Sequence, residues 1–241
     1  MKYLANIPFL QPLFTATKRQ AVLWSALTVL LLLKLYEGDK SFFIKHFSHL
    51  QVDEQVFLWL KWGWHHAGSL LFMFVIPLMI IKVVLREKAL DYGLGIGDYK
   101  LGLKATLAAL IVMPFVVYQT AQNPEHAEFY RSQFPLDLAN SSALMFFLWA
   151  LTYLPHYVGW EFLFRGFVGL GFKKEMGIFG ALMLQVLLTT LMHIGKPQGE
   201  TWGTVFGGIY LGLLTVKTGS IWYAVAFHLY IGLLNSWFCA V

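Results

Sequence analysis

The chain reads as a series of long apolar runs separated by short polar breaks. Against the ~20 apolar residues that one bilayer crossing needs, the first span falls at 21–36, where Lys34 is near enough to the end to snorkel to the interface. A second span at 64–85 has a lead-in carrying Lys61, His65 and His66. The segment 86–104, centred on D-Y-G-L-G-I-G-D-Y-K, mixes glycines with charges and predicts a short surface linker. The third span, 103–118, gives way to a polar stretch at 119–140 with Pro124 and Pro135. From 141 to 172 the apolar pattern outlasts one straight crossing, and Pro155 predicts a kink in it. The fifth, sixth and seventh spans fall at 176–194, 202–216 and 220–238, with the turn G-K-P-Q-G-E at 195–200. Gly203, Gly207, Gly208 and Gly212 make two small-xxx-small steps that predict close packing of the sixth helix. The expected fold is all-α: a polytopic membrane helical bundle of about seven transmembrane helices, forming a single integral membrane domain over 1–241.

Composition agrees, since 58% of residues are hydrophobic and 13% charged, where soluble domains run at about 45–50% and about 25%. A net charge of +5 would suit nucleic acid, but the basic residues cap apolar runs and form no patch, so no nucleic-acid partner is expected. They report orientation instead. With alternating helices, Lys2, Lys18, Arg19, Lys82, Arg86, Lys88, Lys100, Lys104, Lys173, Lys174 and Lys217 share one side; Lys40, Lys45, Arg131 and Lys196 share the other, with Lys34 at its border. The positive-inside rule then puts the N-terminus of this multi-pass protein in the cytoplasm and the C-terminus outside. Residues 1–20 lack a long apolar core and a small-residue cleavage site, so no removable signal peptide is expected. The lone Cys239 has no partner for a disulfide and is misplaced for a C-a-a-X signal.

An ionisable side chain at the bilayer centre costs about 2.5–3.5 kcal/mol, so such residues should be paired or functional. Glu161 and Arg165, in G-W-E-F-L-F-R-G-F, lie at i and i+4 on one helical face and can pair. Such a pair can serve only to orient helices. His193 and His228 sit on two further apolar helices. A single histidine there is more often a packing residue, but two of them with a mid-membrane carboxylate are the minimum equipment for hydrolysing an amide by activated water. Counted along the helices, His193 lies nearer the outer face than Glu161 and His228. His65 and His66 read as interfacial, beside Trp62 and Trp64. No nucleophile elbow, C-x-x-C or H-E-x-x-H is present.

The segment W-E-F-L-F-R-G-F at 160–167, an isolated His at the end of the next helix and a His on the last helix resemble the CPBP family of CAAX-processing and bacteriocin-processing membrane proteins. The likeness covers roughly 144–235 within a family-like core at about 141–238, and the glycine-rich linker is a weaker echo. The family pattern is E-E-x-x-x-R, then F-x-x-x-H, then H-x-x-x-N. Trp160 stands where the first Glu belongs, Thr189 where the Phe belongs, and Gly232 where the Asn belongs, with Asn235 seven residues after His228.

The resemblance implies an intramembrane endopeptidase acting on a membrane-associated peptide, prenylated or leader-type, with lipid as its other partner. Glu161 would take a proton from water beside Arg165, His193 and His228 would hold the water and stabilise the oxyanion, and Asn235 would assist. No cofactor is expected, although Glu161 and the two histidines also make a possible three-ligand zinc set. Glu200, in the turn after His193, reads as a solvated carboxylate or as a replacement for the missing Glu. Trp160 argues for a competing class, a non-catalytic scaffold or bacteriocin immunity protein. A small transporter is the third, disfavoured by the lack of an inverted repeat.

Overall fold

In the computed structural model, which describes residues 15–240, the chain folds into helices, with no strand among the described residues. Helix α1 (Lys18–Tyr36) starts from a capping box between Thr17 and Gln20. The short α2 (Lys40–Phe47) leads to α3, which begins as Glu54–Leu70 and continues through π-helical turns, Leu71–Val75 and Ile80–Leu85, on either side of Pro77. Wider turns suit a helix whose proline removes a backbone donor. Helices α4 (Tyr99–Ala121), α5 (Pro124–Gln133) and α6 (Leu136–Ala139) follow. Helix α7 (Ala143–Glu161) passes Pro155 without interruption and changes to π winding only at Phe162–Leu170. Helices α8 (Lys173–Leu191), α9 (Gln198–Thr218) and α10 (Trp222–Phe238) complete the bundle.

The long helices α1, α3, α4, α7, α8, α9 and α10 coincide with the apolar runs of the sequence. Four of them, α1, α3, α4 and α8, are long and apolar enough to cross a membrane by length and composition. Ile111, Phe115, Phe179 and Phe206 face outward, as expected of a membrane protein whose outer surface meets lipid rather than water.

Contacts sort the helix ends into two sets that alternate along the chain. At one end Arg19 pairs with Glu87 (2.7 Å) and with Glu175, and donates to Gly171 O (2.9 Å). The guanidinium holds the Glu87 carboxyl below the usual carboxylate range. At the same end Asp98 N donates to Thr218 O (2.8 Å) and Ile221 N to Gly93 O (3.0 Å). At the other end Lys34 meets His65, Tyr130 meets Glu200, and His126 meets Asn235.

Several sequence expectations change. The 86–104 segment is mostly exposed, as expected of a surface linker, but it is anchored: Tyr92 is buried in a 3-10 turn, and Gly97 (φ 61°) lies so close to Thr218 O that any side chain would collide. The 119–140 stretch forms α5 and α6, which bury His126, Tyr130 and Leu136. Of the two glycine steps on α9, Gly208 and Gly212 pack on Val186, Leu182 and Gln185 of α8, whereas Gly203 and Gly207 meet no neighbour. Lys34 does not snorkel; it is buried and donates to Gly38 O (2.7 Å) and His65 O (3.2 Å), because carbonyls within reach replace water. The reading of 1–20 and the side assigned to Lys2 fall largely or wholly outside the described residues.

Every residue from 159 to 172 is buried, so this part of α7 has neighbours on all sides. A side chain at Gly159 would collide with Ser69 O on α3. Replacing Gly159 by Val should therefore destabilise the detergent-purified protein by about 1–3 kcal/mol, read by thermal unfolding. Gly203→Ala, with open space at its Cβ, should be neutral or stabilising by up to about 1 kcal/mol. Equal effects from the two changes would show that α3 and α7 are not in backbone contact.

Candidate active site

Glu161 ends the α-helical part of α7, and Arg165 lies in the π-helical part. Both are sealed from solvent, with Arg165 Nε 3.1 Å from Glu161 Oε2. The pair is a charge contact without hydrogen-bond alignment, since neither atom has a hydrogen-bond partner. Arg165 Nη1 donates to Gln185 Oε1, and Gln185 Nε2 donates to Gly208 O (2.9 Å), so the guanidinium is tied through α8 to α9. Sequence reasoning did not single out Gln185; an amide within an otherwise apolar run was the available signal.

The other carboxylate oxygen of Glu161 accepts from His228 Nδ1 on α10 at 2.6 Å. His228 keeps 22% side-chain exposure, and its ring packs 4.6 Å from Tyr157 and 6.4 Å from Trp160, centroid to centroid. With Nδ1–H given to Glu161, His228 Nε2 is left as an acceptor.

His193 follows the last turn of α8, and its Nδ1 donates to Thr189 O (2.8 Å). Thr189, which replaces the family's Phe, is itself anchored by its hydroxyl to Gln185 O (2.8 Å). The His193 ring lies edge-on to Trp160 at 5.3 Å. The single indole thus bridges two histidines that helix counting puts at different depths. Its Nε1–H is buried without an acceptor.

Glu200 is not a solvated turn residue. It accepts from Lys196 (2.6 Å) and from the Tyr130 hydroxyl (2.8 Å) and comes within 4.0 Å of His193 Nε2. Burial opposes its charge most, but Lys196, His193 and the Tyr130 hydroxyl together outweigh burial and hold the carboxyl at about 2. Asn235 accepts from His126 Nε2 (2.8 Å), so its hydrogen bond goes to α5 and not to the Glu161–His228 pair.

His65 and His66 turn into the bundle rather than outward. Both lie inside the bundle, with ring centroids 5.2 Å and 5.4 Å from His156. His156, unremarked in the sequence although it precedes Trp160 by one helical turn, donates from Nδ1 to Ser69 Oγ (2.9 Å) and packs 5.7 Å from Trp160. The α3 positions face inward because Gly159 and Gly68 allow the backbones of their helices to approach neighbours closely.

Among the described residues no group of three or more His, Cys, Asp or Glu is placed to hold a metal ion. Of the possible zinc ligands, Glu161 and His228 are in contact, and His193 Nδ1 is turned to its own helix. A groove of about 680 Å3 between α3 and α7 is lined by apolar side chains with His66 and Thr152.

No curated protein and no solved structure matches the chain. Residues 141–234 match the family model described as Rce1-like, type II CAAX prenyl endopeptidase. That segment, less than half of the chain, holds Glu161, Arg165, His193 and His228 on the helices just described, and over it the chain is similar to the CPBP family of CAAX-type intramembrane proteases.

Proposed function

We propose that this protein is an active endopeptidase that hydrolyses a peptide bond of a membrane-associated peptide, with the Glu161–His228 pair as its base. The 2.6 Å contact between a fully buried carboxylate and His228 Nδ1 carries this reading. One Glu161 oxygen accepts from His228 and the other is buried against Arg165, so the atom left to meet water is His228 Nε2. It takes a proton from water as the hydroxide attacks the substrate carbonyl, Glu161 stabilises the imidazolium, and the proton then passes to the leaving amine. His193 Nε2, also an acceptor, positions the same water. The oxyanion needs a donor, and the partnerless N–H of Trp160, against both imidazoles, supports that role. Arg165 lies 3.1 Å from the second Glu161 oxygen and orients the carboxylate. Asn235 acts at most through α5 and α10 packing. The groove between α3 and α7 suits an apolar chain on the substrate.

A second reading rests on the same indole. Trp160 fills the position of the family's first Glu with apolar bulk, which supports a non-catalytic member that binds a peptide without cutting it.

Cleavage of a farnesylated fluorogenic peptide by the reconstituted protein separates the two. Glu161→Gln and His228→Gln should each lower kcat by about 10²–10⁴-fold, with KM little changed, measured on protein shown to be folded because Glu161→Gln also leaves the buried Arg165 without its counter-charge. Survival of activity in Glu161→Gln would sink the assigned base. If the wild type cuts neither prenylated nor leader-type peptides, the binding-only reading takes its place.

Trp160→Phe keeps the ring and removes the N–H. A drop in kcat of about 10²–10³-fold is expected for a lost oxyanion donor, measured on the same peptide. A kcat equal to wild type would show that the indole only packs.

For orientation, the proposal is a cytoplasmic N-terminus with each long helix crossing once. Reporter fusions at Lys18, within 122–140 and after Val241 should read inside, outside and outside. An inside signal from 122–140 would overturn it.

A further inference from the structure

Beside the candidate centre lies a group of lysines with too few carboxylates. Lys61, on the first turns of α3, is 5% exposed, yet its ammonium has no hydrogen bond or ion pair. A charge taken out of water without a partner is costly, and buried charges are ordinarily paired. The ammonium is not among the sealed polar atoms, so an incoming group can reach it. Lys40, at the start of α2, lies within Coulombic reach of Lys61 and also of Lys196. Its Nζ is 4.9 Å from the Trp62 ring centroid and makes no ion pair. Lys34 completes a set of four ammonium groups.

The carboxylates in reach are already engaged. Asp39 accepts from His65 Nδ1 (3.0 Å), Ser41 N (3.0 Å) and Ser41 Oγ (2.7 Å). Glu200 is held by Lys196 and Tyr130. Lys40 is pushed below its ordinary value, first by burial and also by Lys196, so one more negative charge would stabilise the whole group.

We propose that Lys61 and Lys40 form an anion subsite that takes the terminal carboxylate of the peptide substrate. The proposal rests on the peptidase reading for its ligand. Position favours a peptide end over a lipid phosphate. Lys196 links the subsite through Glu200 to His193, 4.0 Å away, and Trp62 links it by ring contacts through His66 and His156 to Trp160. The subsite is therefore linked to the reacting groups by two routes, one through Glu200 and one through the rings.

The probe is a fluorescent farnesylated peptide ending in Cys-Val-Leu-Ser, made as the free acid and as the terminal amide, with binding to the full chain in nanodiscs read by anisotropy. The acid should bind wild type about tenfold or more tightly than the amide, as expected for a lost charged hydrogen bond. Lys61→Met should erase that preference, and Lys61→Arg should retain it, which separates charge from folding. Equal binding of acid and amide, or binding of neither, overturns the subsite. Displacement of the acid by phosphatidylglycerol from wild type but not from Lys61→Met would assign the site to a lipid phosphate and overturn the peptide assignment. Acid-selective binding without cleavage leaves the subsite standing while the peptidase reading fails; cleavage without acid preference does the reverse.

Discussion

Placing a carboxylate and a guanidinium where neither touches solvent is the constraint around which this bundle is organised. Glu161 and Arg165 each lose their hydration, and one contact of 3.1 Å does not replace it. The remainder comes from other helices: His228 from α10 on one Glu161 oxygen, and Gln185 from α8 on the guanidinium, with α9 holding Gln185 in turn. Three helices must therefore be in register with α7 before the charges are satisfied. The continuous burial of 159–172 follows from the same need, because a lipid-facing side of this segment would leave fewer positions for polar partners.

A second organising element is the line of rings from Trp62 through His66 and His156 to Trp160, and from there to His193 and His228. It joins α3 to the family-like helices. Trp160 is its junction, and the substitution that most weakens the likeness to the family motif is also the residue that fixes the two histidines relative to each other. An indole at that position exchanges a charge for a flat surface and a single donor.

Much of the architecture was legible in the sequence because the spans carry their own signal: each long helix coincides with an apolar run, and the ends shift by a few residues except at α3, which starts at Glu54, well before the span read from the sequence. The Glu161–Arg165 pair was legible from i, i+4 spacing, and His228 from its position on the last helix. What stayed hidden depends on which face of a helix meets another chain segment. His65 and His66 look interfacial when Lys61, Trp62 and Trp64 surround them, and only the approach of α3 to α7 at Gly159 turns them inward. Glu200 looks solvated in a polar turn until Tyr130, from a segment that reads as loop, reaches it. Asn235 shares a helical face with His228 by spacing, but His126 on α5 takes its hydrogen bond. Half of the glycine pattern on α9 meets nothing, since spacing marks a smooth face without naming its neighbour.

The enclosure of the α7 segment also bears on how the protein would respond to different membranes. Helices α1 and α4 turn most of their side chains outward, so a change in bilayer thickness acts first on them, through tilt or local thinning at a cost of fractions of a kcal/mol per Å. Residues 159 to 172 have no lipid-facing side on which such a change could act. The same chain could thus move between thin and thick bilayers with its charged centre mechanically insulated, while the peripheral helices absorb the mismatch.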